Sequence, residues 1–198
     1  DGYITLNGQY CYVDNQIIYE NTIKRDDLQK LLNYLEDHPF PCGFTEEHNK
    51  YFNLRDARVD EIHRITLNDD HPAGDCSDVV NKKIYQCMCF IDEQEEQKLM
   101  QIMPNCISAR WHPLFCDVSP KGGTKQNGID KFLDFYHIDR NETMAFGDGG
   151  NDIEMLQHVA LSVAMENGND KVKERKDNNI SINIGNGSIN NRSIIRCI

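Results

Sequence analysis

The sequence predicts an α/β fold in two parts, an α+β layer followed by a Rossmann-like half-sheet of parallel strands joined by crossover helices. Two observations predict it. After Ser119-Pro120, apolar runs of strand length alternate regularly with amphipathic runs of helix length, which is the rhythm of parallel strands with crossovers. Before that point strands and helices alternate without such a rhythm, as in a layer of sheet with helices on one face. The expected divisions are a core strand and linker over 1–12, an α+β domain over 13–114, and the second half of the parallel core over 115–198.

The elements follow from local pattern. Tyr3 to Leu6 reads as a strand closed by Asn7-Gly8, and Tyr10 to Val13 and Gln16 to Tyr19 flank Asp14-Asn15 as a hairpin. Leu28, Leu31, Leu32 and Leu35 recur at helical spacing, and His38-Pro39 ends that helix. Strands are expected at 40–45 and 51–54, a helix around Val59, Ile62 and Ile65, and a polar loop over 68–78. A strand at 83–91, a helix at 93–103 and a hairpin around His112-Pro113 complete the first part. The second part reads as helix 124–137, strand 143–146, helix 152–158, strand 161–164, helix 170–176 and a strand at 180–184, then a tail rich in Asn, Ile and Ser.

Composition narrows the function classes. With 32 Asp and Glu against 21 Lys and Arg, the formal charge of -11 repels polyanions, so nucleic acid is not an expected partner. A small anion remains compatible, since a few local donors and a cation suffice to hold it. No apolar run approaches the ~18 residues that span a bilayer, and the start of the chain lacks a signal pattern, so no membrane is expected and the location is read as cytoplasmic. Eight scattered cysteines without a Cys-x-x-Cys pair are read as buried, reduced thiols.

The chemistry concentrates in 144–156, where the apolar run Met144-Ala145-Phe146 enters Gly147-Asp148-Gly149-Gly150-Asn151-Asp152 and then a helix. In an open α/β sheet, ligands bind at the carboxyl ends of strands, where this turn belongs. Asp148 and Asp152 are close enough in sequence to serve one hard cation or its water shell, and Asn151 supplies both a donor and an acceptor. Magnesium suits such a site, because it takes one or two carboxylates, several waters and a substrate phosphate. A calcium loop would need Glu where Val159 stands, and a dinucleotide fingerprint would need Gly where Asp152 stands. A plain surface turn is the remaining alternative. Lys125, in Gly122-Gly123-Thr124-Lys125, lies at a helix start, where the dipole disfavours a cation unless an anion is near.

Together Gly-Gly-Thr-Lys125-Gln and Phe-Gly-Asp148-Gly-Gly-Asn151-Asp152-Ile-Glu-Met-Leu resemble the third and fourth motifs of the haloacid dehalogenase superfamily, in its Cof-type phosphatases with a large α/β cap. Val163-Ala164-Met165 and the opening Tyr3 to Gly8 continue the likeness. The resemblance implies a partial core of that family with an inserted cap over 13–114 that closes over the site, and a magnesium-dependent phosphatase of small phosphorylated metabolites such as sugar phosphates. It further implies Asp148 and Asp152 as metal residues, Asp148 binding magnesium and Asp152 supporting that site, with Asn151 and Lys125 at the phosphate and Lys125 as the catalytic cation.

The family begins with an Asp-x-Asp nucleophile motif, and no Asp-x-Asp occurs in these 198 residues, so the chain reads as N-terminally truncated. Without that strand, exposed sheet edges are expected. The alternatives to a phosphatase are a non-catalytic module that binds a phosphorylated ligand or a protein partner, or a phosphomutase on the same scaffold.

Overall fold

The computed structural model describes residues 2–66, 71–166, 168, 170, 172 and 195–197. The first three strands are β1 (Gly2–Thr5), β2 (Tyr10–Val13) and β3 (Gln16–Glu20), an antiparallel sheet in that order. Tyr3 pairs with Tyr12 across β1 and β2, and their rings stack with centroids 4.9 Å apart. Asp14, at φ 51°, turns the hairpin between β2 and β3. Between β1 and β2 the chain runs through three consecutive left-handed residues, Leu6, Asn7 and Gly8, at φ 50°, 56° and 89°. Gly8 is at ease there and Asn7 tolerates it, whereas Leu6 is strained.

Next come α1 (Arg25–Asp37), β4 (Cys42–Thr45), β5 (Lys50–Phe52), α2 (Ala57–Thr66), β6 (Gln86–Cys89), α3 (Glu93–Ile102), β7 (Cys106–His112) and β8 (Phe115–Pro120). Their five strands form one antiparallel sheet, ordered β5-β4-β6-β8-β7. Strand alternation sorts the side chains. Phe44, Cys87, Cys89, Cys116 and Val118 pack with Leu28, Leu31 and Leu35 of α1 and Leu99 of α3. Met88 and Phe115 point the other way and pack with Phe52 and with Val59 and Ile62 of α2. Helices therefore cover both faces, where the sequence pattern suggested one. The short α2 is the reason, since Val59 and Ile62 give it an apolar stripe of its own. Burying each such side chain contributes roughly 1.5–3 kcal/mol.

The chain then continues through α4 (Lys125–Tyr136), β9 (Thr143–Gly147), α5 (Ile153–His158), β10 (Leu161–Ala164) and β11 (Ile195–Cys197). β9 and β10 are parallel, as the crossover helix between them requires, and β11 lies antiparallel on the other side of β9. The tail pattern did not reveal β11, which occupies an edge of β9 that the sequence reading left exposed. Ile129 and Leu133 of α4 and Met155 and Leu156 of α5 pack with Ala145 and Ala164 in a second core. His158 of α5 bonds Asp130 of α4, tying the two helices.

By internal packing the chain divides into one unit of Asp1–Glu20 with Gly123–Ile198 and a second of Asn21–Gly122. The inserted domain expected at 13–114 thus differs at both ends. β2 and β3 pair with β1 rather than with the five-stranded sheet, and β8 belongs to that sheet in full. The helix expected at 170–176 falls largely, and the strand at 180–184 wholly, outside the described residues. No helix among the described residues is long and apolar enough to cross a membrane. The seven described cysteines are buried and free, as their scatter suggested.

Candidate active site

The Gly-rich turn leaves the carboxyl end of β9, the position where open α/β sheets bind ligands. Gly147 closes the strand, Asp148 stands exposed, and Gly150–Asp152 form a single 3-10 turn that leads into α5. The turn is held from within by Asp152. Its Oδ2 accepts the backbone N–H of Asp148 at 3.0 Å and of Gly149 at 2.9 Å. A side chain at Gly147 would bring its Cβ within 2.6 Å of the Asp152 Cβ, so glycine there is what lets the carboxylate fold back under the loop.

The other Asp152 oxygen takes the Lys125 ammonium in an ion pair. Lys125 opens α4, behind Thr124, whose hydroxyl accepts the Asn127 N–H at 3.2 Å as an N-cap. The anion that a cation at a helix start requires is therefore, in this state, Asp152 itself. The pair is well shielded: the side chains are 15% and 7% exposed. Lys125, Asp148 and Asp152 are thus gathered at one corner, where the end of β9 meets the start of α4. Asn151 belongs to the same turn by its backbone; its side chain lies outside the described residues.

The family resemblance gives Asp148 the metal and Asp152 a supporting place. The geometry separates them, since both Asp152 oxygens are engaged by Lys125 and the loop, whereas Asp148 presents its carboxylate at the surface. Nothing in the spacing signalled the Lys125–Asp152 pair, which joins positions 27 residues apart. One exposed carboxylate on a loop braced by a second suits a magnesium ion that fills most of its shell with water and substrate oxygens. No cluster of three or more His, Cys, Asp or Glu able to hold a metal by itself occurs among the described residues.

Comparison with known proteins gives the family. The family described as haloacid dehalogenase-like hydrolase matches residues 1–189. The 5-amino-6-(5-phospho-D-ribitylamino)uracil phosphatase YitU of Bacillus subtilis is 36% identical over 185 residues, spanning 86% of this chain and 67% of its own length. The solved structure of the subclass IIB sugar phosphatase BT4131 is 38% identical, with a TM-score of 0.76 over 91% of this chain and 70% of that one. BT1666, a phosphatase from Bacteroides thetaiotaomicron, is 33% identical with a TM-score of 0.81, over 91% and 68%. These relatives are phosphatases on a mixed α/β scaffold with a Rossmann-like core. This chain belongs to the haloacid dehalogenase-like hydrolases.

Proposed function

We propose that the chain carries the metal and phosphate corner of a magnesium-dependent phosphatase acting on small phosphorylated metabolites, sugar phosphates above all, in the cytoplasm. The single observation that carries this reading is the Lys125–Asp152 pair at the root of the Asp148 loop, which sets a cation, an exposed carboxylate and a helix start around one point. Phosphoryl transfer needs positioning and charge stabilisation on the equatorial oxygens more than it needs proton transfer, and these groups supply both.

In this proposal Asp148 holds the magnesium ion, and Asp152 supports it by fixing the loop and orienting Lys125. A bound magnesium would neutralise phosphoryl charge. Lys125 faces the transferring phosphoryl group, stabilising its negative charge as it develops, and Asn151 adds a donor to a phosphoryl oxygen. The Asn21–Gly122 unit is the counterpart of the family's cap, where the choice of leaving group would reside. The attacking aspartate of the family's covalent mechanism has no candidate in an Asp-x-Asp within these residues.

The second reading is that this chain binds a phosphorylated ligand without turning it over. Phosphate release from a panel of sugar phosphates, with and without magnesium and beside Asp148→Asn, separates the two. Magnesium-dependent release lost in the variant supports the phosphatase. Saturable magnesium-dependent binding without release supports the binding module, and neither release nor binding overturns both.

A further inference from the structure

Beside the helix start that carries Lys125, one buried side chain has polar atoms with no partner. Gln9 is fully buried, and neither its Oε1 nor its Nε2 has a hydrogen-bond partner among the described residues. A carboxamide offers two donors and an acceptor oxygen with two lone pairs, and leaving all of them unpaired in the interior is costly enough to need a reason. The amide is packed on Gly123, so closely that a Cβ at that glycine would fall 1.9 Å from Oε1 and 2.0 Å from Nε2. Gly123 immediately precedes Thr124, the cap of α4, and Lys125, its first residue.

The surroundings are built to bring Gln9 there. Gly8, at φ 89°, presses on the same helix start, where a Cβ would fall 2.0 Å from the Thr124 carbonyl oxygen. Gly128, one turn into α4, leaves room for the Gly8 Cα, which a Cβ on it would meet at 3.3 Å. The left-handed run Leu6, Asn7 and Gly8 carries the chain into this contact. Glycines at 8, 123 and 128 and strained backbone at Leu6 are thus spent on seating an amide that satisfies nothing in this state.

We propose that Gln9 is a positioning residue for the oxyanion site at the start of α4. Its carboxamide pairs with the peptide groups of Gly123 and Thr124 as that turn closes on a bound oxyanion, and so couples anion binding to the placement of Lys125. The proposal rests on the phosphate-binding reading above.

The test is Gln9→Met, an apolar side chain of similar shape, in the full chain. Calorimetry with inorganic phosphate and magnesium measures the site, and thermal unfolding without phosphate measures the fold. The expected result is a midpoint equal to or above that of the parent protein, because an unpaired buried amide is removed, together with phosphate binding at least tenfold weaker. A residue that merely fills space would not move the two readouts in opposite directions. Unchanged phosphate binding overturns the proposal, and so does a lowered midpoint or a failure to fold, since either would mean that the amide is already paired. If the parent chain itself binds no phosphate, the underlying reading fails and this one with it; binding by the parent that Gln9→Met leaves intact sinks the Gln9 proposal alone.

Discussion

The Lys125 ammonium and the Asp152 carboxylate form a shielded ion pair that joins the first residue of α4 to the turn after β9. Asp152 spends its second oxygen on the N–H groups of Asp148 and Gly149, so one carboxylate orients the cation and shapes the loop. Removing one member of a buried pair leaves the other uncompensated, at a cost of about 3–5 kcal/mol. Lys125→Met and Asp152→Asn should each lower stability on that scale in urea unfolding, and the double variant should lose clearly less than the sum. Additive losses would mean that the pair carries no coupling.

Gly147→Ala tests the loop without touching a charge. The new Cβ collides with the Asp152 Cβ, so the carboxylate must move and the Asp148 and Gly149 N–H groups lose their acceptor. Displacing groups that orient a metal ligand typically weakens metal binding about 10–100-fold. Magnesium titration by calorimetry in the presence of phosphate should show a loss in that range, with the fold retained by circular dichroism.

Much of this was legible in the sequence, for identifiable reasons. The leucine spacing over 28–35 and the apolar run into Gly147 are short-range patterns, and α1 and β9 lie where those patterns put them. What escaped was set by pairing over distance. The edge of the inserted unit depends on whether β2 and β3 pair with β1 or with the larger sheet, a choice local periodicity does not encode. The packing of α2 on the second face follows from which side of β6 and β8 carries Met88 and Phe115. At the site, residue types singled out Lys125, Asp148 and Asp152 as candidates, yet the engagement of Asp152 by Lys125 required the fold to bring positions 27 apart together.

In the five-stranded sheet, Gly43 of β4 faces Phe52 of β5, and a Cβ there would fall 2.7 Å from two atoms of the fully buried ring. Gly43→Ala should therefore cost about 1–3 kcal/mol through overpacking. Chemical denaturation checks it, and Phe52→Leu in the same chain should recover part of the loss.

Lys50 supplies a pH dependence. Burial pulls its ammonium below the ordinary lysine value of 10.5, with the negative charge of Asp117 opposing part of that effect. The unfolded chain therefore binds this proton more tightly than the folded one, and stability contributed by this group rises with pH through the interval between the lowered value and 10.5. Lys50→Met should raise the thermal midpoint at neutral pH and flatten its rise under alkaline conditions. A parent-like slope in the variant would contradict the assignment.

The thiols should be inert in the folded state. Burial pushes Cys11 and Cys106 up to about 12 and Cys76 to about 11, and raises Cys42 well above its ordinary value with help from Cys87 and Cys89. In a Cys197→Ser background, a disulfide reagent at pH near 8 should label less than about one thiol per native chain before unfolding. Rapid labelling of several would show that these strands open readily.

The most direct test of the account is calorimetric binding of inorganic phosphate with and without magnesium, to the parent chain and to Asp148→Asn. The account predicts magnesium-dependent phosphate binding by the parent, weakened at least tenfold by the loss of the Asp148 charge. Absence of binding, or binding indifferent to both magnesium and Asp148→Asn, would contradict it.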